Sequence, residues 1–213
     1  MADKVLVVCG SPVVASSGLL RQLVGECDHV VAVDRGLDAL LGAGLGCDLF
    51  VGDADTVSDE GRALVDAAED FEVERHDPYK DYTDLALALD SVRRRWPGVE
   101  VVATCATGGR PDMALSVLGL LAGYDDAPIW ISEDQVCARV LHAGESWTIE
   151  GAEGKTFSII AIAPNTQVSE RGLEWELDHS PLALLADTGI SNIVRSTATI
   201  AVHQGTAIAY LYK

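Results

Sequence analysis

The feature that most limits how this chain can fold is a change of pattern near residue 130. Before it, short β-rich apolar runs (5–9, 29–33, 49–51, 71–75, 99–104 and 129–132) alternate with segments whose apolar residues recur at helical spacing (17–27, 37–41, 59–69, 84–96 and 112–122). After it, helical periodicity disappears. Runs at 136–142, 145–149, 157–163, 173–177, 197–202 and 206–211 read as strands separated by Gly, Asn or Ser. Alternating strand and helix predicts a mostly parallel sheet with helices on both faces, and a strand-only stretch predicts an antiparallel sandwich. The expected organisation is therefore an α/β N-terminal domain over 1–127 and an all-β C-terminal sandwich over 128–213. The run 129–132 is placed to close the first sheet and lead into the second. Ser58 and Thr83 are expected N-caps, and Pro97-Gly98 is expected to stop the fourth helix.

Charge narrows the function. Acidic residues outnumber basic ones 33 to 15, giving a formal charge of −18. A nucleic-acid backbone is a poor partner for such a surface, and a phosphorylated ligand would need divalent cations and a few well-placed basic groups. No stretch reads as a secretory leader or a membrane span, so a cytoplasmic protein without membrane partners is expected. Cys9, Cys27, Cys47, Cys105 and Cys137 are scattered without C-x-x-C or zinc spacing, and are read as reduced.

Polar clusters fall where the expected parallel strands end, the edge at which loops and helix N-termini converge on ligands. They are Asp34-Arg35-Gly36, Gly52-Asp53-Ala54-Asp55, the DPYKDYTD segment from Asp77 to Asp84, and Gly108-Gly109-Arg110-Pro111-Asp112. Asp53 and Asp55 on one extended loop would repel each other unless a hard cation lay between them, and magnesium favours a site of one or two carboxylates plus substrate phosphates. In DPYKDYTD, Lys80, Asp81 and Asp84 stand beside the helix that Thr83 opens, giving a cation, two carboxylates and exposed N–H groups. Gly108 and Gly109 permit close backbone approach to an oxyanion, while Arg110 supplies a planar charged fork. Taken one at a time, these features read more readily as turn and cap chemistry. Gly154-Lys155-Thr156 resembles the end of a P-loop, but Ile149 stands where the first glycine belongs and a strand follows. Trp175 falls in an alternating strand, as a core or interface aromatic.

Taken in order, the clusters resemble the thiamine pyrophosphokinase (thiamine diphosphokinase) family across nearly the whole chain. Its Asp-Gly-Gly, G-D-x-D-S, K-D-x-T-D and G-G-R-x-D-H elements stand here as Asp34-Arg35-Gly36, Gly52 to Thr56, Lys80 to Asp84 and Gly108 to Met113. The later G-L-x-W and S-N elements are Gly172 to Trp175 and Ser191-Asn192. The resemblance implies an ATP-dependent diphosphotransferase that moves diphosphate from ATP to the thiamine hydroxyl, working as a homodimer with active sites at the interface. It implies that Asp53, Asp55 and Asp81 carry Mg2+, that Lys80 and Arg110 clamp phosphate oxygens, and that Asp84 or Asp112 orients the attacking hydroxyl or completes the metal shell. Asp34, Thr83, Gly108 and Gly109 would contact the nucleotide, and Ser191 and Asn192 would help seat thiamine. Arg35, Ala54, Met113 and Val194 depart from the family pattern. Two alternatives stand beside this one: a diphosphokinase for another hydroxymethyl heterocycle such as a pterin, and a nucleotide- or thiamine-binding module without turnover.

Overall fold

The computed structural model describes residues 3–79 and 81–213 and divides into two compact units. One runs to Leu120 and takes back Ile131–Asp134; the other holds Leu121–Trp130 and Gln135–Lys213. A single cut at 127/128 would therefore assign Ile131–Asp134 to the other unit.

Up to Ser132 the order is β1 (Lys4–Val8), α1 (Ser17–Glu26), β2 (His29–Val33), α2 (Gly36–Gly42), β3 (Leu49–Gly52), α3 (Asp59–Ala67), β4 (Glu72–Arg75), α4 (Asp84–Arg95), β5 (Glu100–Thr104), α5 (Pro111–Ala122) and β6 (Ile129–Ser132), all within the first unit except the last two residues of α5 and the first two of β6. The strands lie in the order β4-β3-β2-β1-β5-β6. Strands β1 to β5 pair in parallel. Val5, Leu6, Val7 and Val8 are all fully buried, and because successive side chains point to opposite faces, both faces of β1 are covered. Ser58 and Thr83 cap α3 and α4 as expected, their side chains accepting from the N–H groups of Gly61 and Ala86. Gly36 opens α2 directly against β1. A Cβ there would lie 1.9 Å from the Val8 carbonyl oxygen, so only glycine fits.

The chain lays down β1 to β4 in one direction and then returns to place β5 on the other side of β1. The strand order reverses there, and the loops after β1 and β5 frame a crevice at the carboxyl edge, the place where open α/β sheets take ligands.

The second unit is built from β7 (Val136–His142), β8 (Ser146–Ile149), β9 (Thr156–Ala161), β10 (Thr166–Leu173), β11 (Leu177–Leu182), β12 (Asn192–Gln204) and β13 (Thr206–Tyr212). Their pairings are antiparallel. Strand β12 pairs with β9 at its start and with β10 and β8 further on, so one strand serves two sheets. Phe157, Ile159, Val168, Val194 and Ile200 fill the core between them. One expectation fails: 173–177 is not one continuous strand, since Leu173 ends β10, Leu177 begins β11 and residues 174–176 lie between them. Residues 174–176 are the bend between β10 and β11, and Trp175 on it is 61% exposed. Gly172, at φ +76°, lies where the β10–β12 register shifts, and a Cβ on it would meet the Thr197 carbonyl oxygen at 2.3 Å. That bulge shifts the register, the ladder closes one pair later at Leu173–Val194, and the chain then bends although the side-chain pattern goes on alternating.

Candidate active site

A cavity of about 480 Å³ opens at the carboxyl edge of the first unit. Its walls come from successive strand ends: Cys9 to Pro12 after β1, Asp34 and Arg35 after β2, Asp53, Asp55 and Thr56 after β3, and Cys105, Ala106, Gly108 and Arg110 after β5. Thr83 and Asp84 at the start of α4, and Met113, Val117 and Leu120 along α5, complete it.

Asp34, Asp53 and Asp55 converge, each offering a carboxylate oxygen within 4.8 Å of the others. The geometry follows from sheet register. Val33 pairs with Val51, so the residues just beyond the ends of β2 and β3 are neighbours, and the Asp34 N–H donates to the Val51 carbonyl at 3.0 Å. Asp34 has φ +46° and Ala54 has φ +62°, left-handed conformations that non-glycine residues adopt at a cost and that concentrate at functional sites. Thr56 Oγ1 donates to Asp34 Oδ2, whereas Asp34 Oδ1 is buried with no side-chain or backbone partner by hydrogen-bond geometry among the described residues. Burial raises the Asp34 pKa, as do the nearby Asp84 and Asp53 charges, against the opposing hydrogen bonds from Thr56 and the Arg35 N–H. Three converging carboxylates, one of them carrying a buried oxygen, are hard donors that fit a divalent cation such as magnesium.

Arg110 and Asp112 form an exposed two-point pair, Nη2 to Oδ2 at 2.5 Å and Nε to Oδ1 at 3.2 Å. Each holds the other in its charged form. Gly108 and Gly109 have φ values of +98° and +70°, and Cβ atoms on them would press into Val13 and Pro12, so their first use is to let the loops after β5 and β1 touch. Thr83 is occupied as a cap. Asp81 is exposed and, among the described residues, lies outside both the carboxylate group and the cavity wall. Lys80 lies outside the described residues.

In the second unit Ser191 is exposed at φ +60°, and its N–H donates to Ser158 Oγ at 3.0 Å. Asn192 is 3% exposed, and its amide is fully used. Oδ1 accepts from the N–H groups of Trp175 (3.1 Å) and Ile193 (2.9 Å), and Nδ2 donates to the Trp175 carbonyl (2.7 Å) and to Glu170 Oε2 (3.2 Å). Asn192 therefore brackets the Trp175 bend. Glu170 is fully buried, and burial pushes its carboxyl up to about 7.

Sequence reasoning missed the loop after β1, although a Gly-Ser-Pro break behind an apolar strand was the available signal. It also missed Glu133 and Asp134, which nothing local marks.

Fold and site together define a two-unit protein: an open parallel sheet whose switch point gathers carboxylates and an arginine, followed by an antiparallel sandwich. The family models for the thiamin pyrophosphokinase catalytic domain and the thiamin pyrophosphokinase vitamin B1 binding domain match residues 20–131 and 146–206. The chain belongs to the thiamin pyrophosphokinase family. It is 28% identical to the thiamine pyrophosphokinase of Bacillus subtilis over 210 residues, covering 95% of both chains. It is also 28% identical over 131 residues to thiamine pyrophosphokinase 1 of Arabidopsis thaliana, covering 57% of this chain and 48% of that relative. The solved thiamin pyrophosphokinase of Candida albicans shares the fold at 13% identity, with a TM-score of 0.84 over 99% of this chain and 89% of the other. The likeness carried by six short motifs is thus borne out at the level of family and fold.

Proposed function

We propose that the protein is an ATP-dependent diphosphotransferase that moves a diphosphate group from ATP to the hydroxyl of thiamine and releases AMP. The observation that carries this reading is the meeting of Asp34, Asp53 and Asp55 at the switch-point cavity of a chain from this family. These three carboxylates would hold the divalent cation, with Asp34 in the place that the family resemblance gave to Asp81. When bound, magnesium neutralises charge on the phosphate oxygens, which matters in a protein of formal charge −18.

The chain's own groups do the rest. In the reaction the thiamine oxygen bonds to the β-phosphorus while the bond from that phosphorus to the AMP oxygen breaks. Arg110 turns its fork from Asp112 to the transferred phosphates, trading one carboxylate partner for another anion at little net cost. Lys80 is assigned to phosphate on sequence grounds. Asp84, on the cavity wall, would take the hydroxyl proton. Val33, Leu85 and Val117 give the cavity an apolar flank for a heterocyclic base. On the second unit, exposed Ser191 and the exposed Trp175 ring are the groups available to thiamine, and Asn192 supports them from behind.

We further propose a homodimer. Helix α5 is apolar along most of its length (PDMALSVLGLLA), yet Leu121 is its only buried residue, and Met113 and Leu115 are 42% and 59% exposed. A helix of that composition is ordinarily covered, and a second copy would cover it. Five free cysteines accord with a cytoplasmic setting, and no helix among the described residues is long and apolar enough to cross a membrane.

The test is to incubate the purified chain with ATP and magnesium, with and without thiamine, and to measure AMP and product mass. AMP formed only with thiamine, together with thiamine diphosphate, is expected. AMP that depends on a pterin instead, or ligand binding without AMP, overturns the proposal.

A further inference from the structure

Just beyond β6, two adjacent acids outside the catalytic set reach the two loops that frame the cavity. The Glu133 carboxylate accepts from three consecutive backbone N–H groups after β5: Cys105 at 3.2 Å on Oε2, and Ala106 at 2.8 Å and Thr107 at 3.2 Å on Oε1. Cys105 has φ +49°, and this bend turns successive N–H groups toward one point, making a concavity of the kind that binds anions. Here the chain's own carboxylate fills it. Asp134 does the same for the loop after β1, accepting from Ser16 N at 2.8 Å and Ser16 Oγ at 2.5 Å, while Ser16 Oγ caps α1 through the Leu19 N–H. The loops are also tied to each other, since Ser11 N–H donates to the Cys105 carbonyl at 3.1 Å and Ser11 Oγ to the Thr107 carbonyl at 2.7 Å.

We infer that Glu133 and Asp134 are a pair of positioning residues that brace both loops of the switch-point crevice before any ligand arrives, and so set the affinity of the cavity for its nucleotide. The inference rests on the proposed function for the identity of that nucleotide; the bracing itself does not. Since the amides of residues 105–107 are already committed to Glu133, they are not donors to phosphate. Their task is to fix the backbone that runs on into Gly108 and Arg110, one and three residues beyond Thr107. Without the brace the loop must order itself on binding, a cost that falls on substrate affinity more than on the chemical step.

The experiment uses the full chain without ligand, with amide exchange followed residue by residue by NMR, and steady-state kinetics beside it. In Glu133→Ala the amides of Cys105, Ala106 and Thr107 are expected to exchange about tenfold faster or more, and the KM for ATP to rise by a similar factor. The kcat and the KM for thiamine should stay within about threefold, changes too small to count as lost catalytic contacts. Glu133→Gln is the isosteric check. Its Oε1 still accepts from Ala106 and Thr107, but its NH2 group meets the Cys105 N–H donor to donor, so protection should fall first at Cys105. Asp134→Ala should loosen Ser16 and Leu19 more than residues 105–107. Unchanged exchange at 105–107 in both Glu133 variants overturns the brace, as does a fall in kcat at constant KM for ATP. Exchange is read on the unliganded protein, so it decides the bracing even if thiamine-dependent AMP formation is never seen.

Discussion

Gly36→Ala is the sharpest test of how the site is assembled. Gly36 is the third residue of the Asp34-Arg35-Gly36 element and the first of α2, and it is buried. A Cβ there would stand 1.9 Å from the Val8 carbonyl oxygen, 2.8 Å from the Val8 carbonyl carbon and 3.2 Å from the Cys9 carbonyl oxygen. These are backbone atoms of β1 and the loop after it, so no side-chain rotation relieves the contact, and α2 must move away from the sheet. Overpacking a core costs about 1–3 kcal/mol when side chains can adjust, and a clash with backbone belongs at the top of that range or above. At about 2–4 °C per kcal/mol for a chain of this size, the melting temperature should drop by about 6–12 °C. Gly42→Ala, at the other end of the same helix, is the control. Nothing lies within 4 Å of its Cβ position, so the substitution should be neutral or stabilise by up to about 1 kcal/mol. Differential scanning calorimetry of the metal-free proteins reads both. A Gly36→Ala melting temperature within about 2 °C of the parent, or an equal drop in Gly42→Ala, would refute the argument that close approach of α2 to β1 selects glycine.

Two further outcomes follow from buried and clustered carboxylates. The Glu170 carboxyl is raised from 4.5 to about 7 in the fold, so the folded state holds its proton more tightly than the unfolded one; the stability this gives is full below about pH 4.5 and is lost as pH rises to about 7, some 3 kcal/mol in all. Glu170→Gln should flatten that decline when melting is followed from pH 5 to 8, and identical slopes in the two proteins would remove Glu170 as its source. Asp53→Asn should lower AMP formation about a hundredfold or more. It should keep the metal-free melting temperature, since it removes charge from a crowded group, and lose most of the magnesium-induced rise; a full rise would take Asp53 out of the metal site.

Much of the fold was legible because periodicity belongs to consecutive residues. The runs 29–33 and 136–142 coincide with β2 and β7, and the Ser58 and Thr83 caps stand where their side chains predicted. The failure at 173–177 has a local look and a remote cause. Gly172-Leu173-Glu174-Trp175-Glu176-Leu177 alternates like a strand, but the bulge at Gly172 and the Asn192 amide behind Trp175 turn it into a bend. The amino-acid order likewise marked Ser191 and Asn192 as equals. Burial separates them, leaving one at the surface and spending the other on the backbone.

The sequence by itself determined the element types of the α/β part, the change to strands after it, the family, and the fact that acidic and basic groups cluster behind parallel strands. Tertiary structure alone decided which of those groups meet. Asp34 joins Asp53 and Asp55 because β2 and β3 lie side by side in the Val33–Val51 register, a pairing between residues 18 positions apart that no local pattern encodes. Glu133 reaches 26 to 28 residues back to the loop after β5 for the same reason. Local propensity acts through neighbours along the chain, whereas a binding site is made by neighbours in space, and the sheet turns one into the other.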